Sequence, residues 1–184
     1  MTKQAMFLFL CGSVFLSSSC QSAKTKETPV AQRAVSTSGI AYPADYRSTF
    51  TNYLSLDRVQ NHDQIIRLFA NSIAMQGPDA NGLLPFGSII VGEVYKAKLD
   101  PSGEVLLSSL DRRIRGDFAL VAVMERRESF GSDTPEDLAN EHWEFAAFKP
   151  DGSVAGKDLN ACRACHAPEK ETHHLFSFEH LLKR

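Results

Sequence analysis

The stretch Ser88–Leu99, "SIIVGEVYKAKL", decides the fold class. It is rich in β-branched and aromatic residues, and "LPFG" immediately before it supplies a turn, which together read as a strand. Side chains alternate along a strand, so the even-numbered residues from Ile90 to Lys98 share one face and Lys96 and Lys98 project the same way as Val94. Moving outward, "DPSGE" (Asp100–Glu104) is a turn leading into the apolar run "VLLSSL". "DFALVAVMER" (Asp117–Arg126) reads as a long strand, and "HWEFAAFKPDG" (His142–Gly152) as another, closed by a Pro-Asp-Gly turn. Upstream, "DQIIRLFAN" reads as a strand running into a short helix that ends at Gly77. A helix start is marked in "DTPEDLANEH", where Thr134 caps, Pro135 takes the first helical position, and Glu136 and Asp137 suit the positive end of the dipole. A second helix is expected over "KDLNACRACHA", with Asp158 near its start and Pro168 soon after its end. The expected class is α+β, mainly β: an antiparallel sheet with a few short helices.

At 184 residues the chain is one domain with appendages. Its hydrophobic fraction of 43% and charged fraction of 23% are those of an ordinary globular protein with a core to bury. The formal net charge of −2, without any basic block, gives no reason to expect nucleic acid as a partner. The N-terminus is distinctive. "MTKQAMFLFLCGSVFLSSSC" has a lysine, a short apolar centre and small residues before Cys20, the layout of a secretory signal rather than of a buried helix. "SSSC" further resembles a bacterial lipoprotein signal, with Leu16 one position farther from the cysteine than usual. Residues 1–20 are therefore expected to be a signal peptide, with a lipid anchor at Cys20 if it is of the lipoprotein type. Residues 21–40, polar and without apolar periodicity, read as a flexible tether, and 41–184 as the folded domain. The expected location is periplasmic or otherwise exported, membrane-anchored if Cys20 is lipidated.

Cysteine usage narrows the chemistry. Cys11 leaves with the signal and Cys20 lies at the start of the tether, so only Cys162 and Cys165 remain in the domain. A framework of structural disulfides is excluded by count. The two thiols stand in "NACRACHAPEK" as Cys-x-x-Cys-His. On a helix, cysteines three apart lie on neighbouring turns of one face and can reach the edge of one planar ligand. In c-type haem attachment each thiol adds to a porphyrin vinyl group and the adjacent histidine ligates iron. Cys162 and Cys165 would tether one haem c per chain, and His166 would bind its metal. Two alternatives remain. A structural zinc site needs four ligands, which His173 and His174 could complete. A redox dithiol usually has a βαβ setting, whereas this pair follows antiparallel strands.

The motif and its surroundings resemble the cytochrome P-460 and cytochrome c′-beta family of exported haem proteins built on an antiparallel sheet. The likeness runs from "YPADYRS" at Tyr42 through "RLFANSIA", "LPFGSIIVGEVYKAK", "VAVMER" and "HWEFAAFKPDG" to "CRACHAPEKETHHLFS", with Phe86 where the family has aspartate. That resemblance implies that His166 is the only protein ligand to iron and that the opposite position is open or water-filled. It also implies either of two functions: oxidation of hydroxylamine, or binding of nitric oxide or carbon monoxide without turnover. The enzymatic members carry a lysine linked to the porphyrin. Lys98 is the first choice here because its interval to Glu125 is similar to the family's lysine-to-carboxylate interval, with Lys96 second; both are otherwise solvated lysines at a strand end. Glu125 would then accept a proton on the open side and Arg67 would stabilise an anionic intermediate. Met75, Met124, His62, His142, His173 and His174 are chemically able to fill a sixth position, though Met124 reads as core and the histidines as surface groups. Trp143 and Phe145 alternate on one face as core residues or an aromatic wall. The expected partners are a small-molecule or gas ligand, an electron-acceptor protein and, as in relatives, a second copy of the chain.

Overall fold

A computed structural model describes residues 34–132 and 134–182. The expected signal peptide, Cys20 and most of the expected tether lie outside the described residues. Five strands form one antiparallel sheet in chain order: β1 (Thr51–Asp57), β2 (Gln64–Ala70), β3 (Ile89–Ala97), β4 (Arg115–Arg126) and β5 (Trp143–Phe148). Three short helices accompany it: α1 (Tyr46–Thr49), α2 (Leu159–His166) and α3 (Phe178–Leu182). The mainly β class, the antiparallel order and the placing of Cys-x-x-Cys-His on a helix near the C-terminus are as the sequence predicts. No helix among the described residues is long and apolar enough to cross a membrane.

Register decides which side chains share a face, because residues directly opposite on paired strands point the same way. One row runs Ala70–Ile90–Met124–Phe145, the next Leu54–Leu68–Gly92–Ala122–Ala147, and the third Leu56–Ile66–Val94–Leu120. Gln64 opposite Lys96 begins a fourth. The first row is covered: Leu84, Leu175, Phe178 and Leu181 close over Ile90, Met124, Trp143 and Phe145. The second and third rows are less so, with Leu54, Leu56, Ile66, Leu68, Leu120 and Ala122 only half-buried. They form an aliphatic strip. The opposite face carries Phe69, Val91, Val121, Val123, Ala146 and Phe148 against Ile40 and Tyr46.

That opposite face holds a buried ionic cluster. Glu93 is 0% exposed and accepts hydrogen bonds from the hydroxyls of Tyr46 (2.7 Å) and Tyr95 (2.9 Å) and from the guanidiniums of Arg47 and Arg67. Burial pushes its carboxyl up, but the hydrogen bonds from Tyr46, Arg47 and Tyr95 outweigh that and hold it below its ordinary value.

Several local expectations change. The strand β1 is not evident from sequence, since "TNYLSLD" is short, polar on one side and interrupted by a bulge at its start. "DTPEDLANEH" makes one 3-10 turn, Glu136–Leu138, without a side-chain cap, because no apolar stripe beyond Leu138 extends it. "VLLSSL" forms isolated bridges, Leu99 to Val105 and Leu107 to Arg113, rather than a strand. The last residues assigned to the tether are packed: Val35 bridges Ala41, and Ile40 is fully buried. By contrast, β2 does run into a turn of 3-10 helix, Ala74–Gln76, that ends at Gly77 with φ +79°.

Candidate functional site

The helix α2 starts where the sequence places it. Asp158 is its N-cap, with Oδ1 accepting from the backbone N–H of Asn160 at 3.0 Å. Arg163, between the two cysteines, fixes the helix to the edge of the sheet. Its Nε and Nη2 donate to both Glu144 carboxylate oxygens (3.0 and 2.6 Å), and its carbonyl accepts from Asn140 Nδ2. This paired fork is geometrically specific. Leu159 and Cys162 turn inward and pack against the covered core, the same cluster on which Leu54 and Leu68 of the strip pack. Cys162 is half-buried and Cys165 exposed, and both are free thiols. Burial pushes the Cys162 thiol up, the reverse of the lowered thiol that a redox dithiol uses.

His166 is held from behind. Its Nδ1 lies 2.7 Å from the His174 carbonyl, while His174 Nδ1 lies 3.0 Å from the His166 carbonyl. A carbonyl only accepts, so each Nδ1 carries the proton and each Nε2 keeps its lone pair. The loop achieves this by putting both His173 and His174 in the left-handed region (φ +52° and +61°) and burying His174 to 1% exposure. The His166 ring packs against Phe145 and Phe176, with centroids 5.0 and 4.9 Å away. Burial pushes its imidazole below the ordinary value, which favours the neutral, ligating form. An imidazole with Nδ1 tied to a backbone carbonyl and Nε2 free is the arrangement of a metal-ligating histidine. The residues present therefore fit a haem: two thiols and an oriented imidazole on one helix, beside an aliphatic surface.

The other candidates separate from this group. Arg67 and Glu125 are on the opposite face, Arg67 on Glu93 and Glu125 paired with Arg127 at 2.6 and 2.8 Å. The expected anion stabiliser and proton acceptor are thus turned away from the strip. Lys96 shares the strip's face and is exposed; Lys98 is exposed just past the end of β3, its N–H bonded to the Ile114 carbonyl. Met124, Trp143 and Phe145 are core. Met75 packs on that core, His62 is exposed, and exposed His142 lies edge-on to Phe86. His173 and His174 do not join the cysteines, and among the described residues no three His, Cys, Asp or Glu side chains gather as a metal cage. A cleft of about 650 Å³ lined by Asp79, Phe86, Arg126, His142, Lys170 and His173 includes none of the motif residues. Arg163, Glu144 and the His174 carbonyl are parts of the site that no sequence signal marks.

The family model of cytochrome P-460 matches residues 43–177, nearly three quarters of the chain. The chain belongs to the cytochrome P-460 family. Membership implies a haem cofactor, in agreement with the geometry of α2. The matched span covers all five strands and α2, so the cytochrome P-460 domain includes both the sheet and the motif. Among curated proteins nothing matches the chain.

Proposed function

We propose that this cytochrome P-460 family member is an exported c-type haem protein that binds a small uncharged ligand such as nitric oxide and passes single electrons to a protein acceptor. Cys162 and Cys165 hold one haem by thioether bonds, and His166 Nε2 is its only protein ligand. Such a haem supplies a redox-active iron with one coordination position for an exogenous ligand. The observation that carries this reading is the His166–His174 clasp, which presents an oriented imidazole on the helix that bears both thiols. The aliphatic strip, once covered by the haem, would exclude water and suit an uncharged diatomic molecule. Oxidation of hydroxylamine asks in addition for a proton acceptor, and Glu125 faces the other way. The enzymatic alternative then rests on a porphyrin crosslink from Lys98 or Lys96.

The test uses holoprotein purified from cells with cytochrome maturation machinery. Nitric oxide is expected to shift the Soret band of the reduced protein. Hydroxylamine with an electron acceptor is expected to give no sustained turnover, and Lys98→Ala to leave the spectrum unchanged. Steady hydroxylamine-dependent reduction of the acceptor, abolished by Lys98→Ala, would replace this reading with the enzymatic one.

A further inference from the structure

The aliphatic strip ends in polar groups at the turn between β1 and β2, and their arrangement identifies a second point of contact with the cofactor. Strand alternation continues from Leu54 and Leu56 to Arg58, which follows β1 directly and keeps the ladder through its N–H to the Gln64 carbonyl. Its Nη1 donates to Gln64 Oε1 at 2.6 Å, and Gln64 lies opposite Lys96 on the strip's face. The turn itself is pinned. Arg113 Nη1 donates to the carbonyls of Arg58 (2.8 Å), Asn61 (2.9 Å) and Gln64 (2.8 Å). Three carbonyls on one guanidinium nitrogen give the turn little freedom to splay. Arg58 is half-buried, yet no carboxylate of the described residues lies within ion-pair distance of it. The strip is aliphatic along its length and cationic at one end, where Arg58 and Lys96 flank Gln64.

A haem has the complementary pattern, an apolar macrocycle with two carboxylates at one edge. We propose that Arg58, oriented by Gln64 and by the Arg113-pinned turn, is the residue that receives a haem propionate. The inference rests on the haem reading above and deepens it. A half-buried guanidinium without a counter-ion is costly, and an incoming carboxylate removes that cost through a charge-assisted hydrogen bond. Arg58 is here a positioning residue: it fixes the porphyrin's rotation about the iron and sets the charge that the iron senses. A cation paired with a propionate would disfavour the ferric state relative to the ferrous one.

The holoprotein tests this in wild type, Arg58→Gln, Arg58→Lys and Arg112→Gln, the last removing an exposed arginine paired with Asp57. The readouts are the midpoint potential by spectroelectrochemistry and the propionate bending band in resonance Raman spectra. Arg58→Gln is expected to lower the potential by a roughly tenfold shift toward ferric iron, about 59 mV for one electron, and to move the band. Arg58→Lys should keep most of the potential while moving the band, since it retains charge but not the planar fork. Arg112→Gln should change neither. Covalent haem with wild-type potential and band in Arg58→Gln, or an unmoved band in Arg58→Lys should the glutamine variant not fold, overturns the assignment to Arg58 and leaves the haem reading intact. A wild-type chain without haem overturns both.

Discussion

Glu93 is where a single residue does most for the sheet. It is buried without solvent contact, yet satisfied by two tyrosine hydroxyls and two guanidiniums drawn from α1, β2 and β3. Removing it leaves the buried Tyr46 and Tyr95 hydroxyls without their acceptor, so Glu93→Ala is expected to cost about 1–3 kcal/mol, read as a lowered midpoint in urea or heat. The carboxyl also makes stability pH-dependent. Its folded value lies below the ordinary 4.5, so its contribution is complete above that pH and is lost as pH falls from there through the folded value. Acidification below about pH 4.5 should lower the melting temperature of the wild type more steeply than that of Glu93→Gln; parallel curves would show that the cluster does not couple to folding. At this scale the placing of Cys162, Cys165 and His166 together on one helix is legible, because their spacing is local. The sequence is not legible where strand parity decides. Glu125 has a suggestive interval to Lys98, but its ladder position opposite Ile89 turns it to the other face, and nothing local to "VMER" encodes that register.

Among the elements, α2 is short and depends on its ends. Asp158→Ala removes the side-chain cap from an eight-residue helix and is expected to cost about 1 kcal/mol, seen as a lower melting temperature with unchanged haem content. The turn after β5 is stricter. Gly152 has φ +86°, and a Cβ there would come within 2.9 Å of the Tyr42 ring. Gly152→Ala combines left-handed strain with a clash against an aromatic that packs on Phe148, and should cost about 1–3 kcal/mol. A variant as stable as wild type would mean that Tyr42 moves aside freely. The Pro-Asp-Gly turn and the Asp158 cap were both legible because each has a local chemical signature. "DTPEDLANEH" has a helix-start signature as well, yet yields one turn, since a cap cannot extend a helix that has no buried stripe to hold it. Strand β1 carries Leu54 and Leu56 between polar neighbours, an alternation too brief to stand out until β2 pairs with it.

In the molecule as a whole, one sheet face is closed by an ionic and aromatic core and the other is only partly covered. That asymmetry makes sense if a flat apolar group completes the second face, because each 100 Å² of aliphatic surface withdrawn from water contributes about 2.5 kcal/mol. Cys162→Ala/Cys165→Ala, which cannot retain haem covalently, is therefore expected to melt at a lower temperature and less cooperatively than wild type. Melting that matches wild type would show that the strip needs no cover. The antiparallel order was readable from strand composition and short turns, whereas the division of labour between the faces emerges only from register. The central claim, that a haem is bonded to this chain through Cys162 and Cys165, is tested most directly by the intact mass of the mature protein made in cells competent for cytochrome maturation. We expect the polypeptide plus one haem, persisting under denaturing conditions and absent from Cys162→Ala/Cys165→Ala. A wild-type mass equal to that of the polypeptide alone would contradict the account.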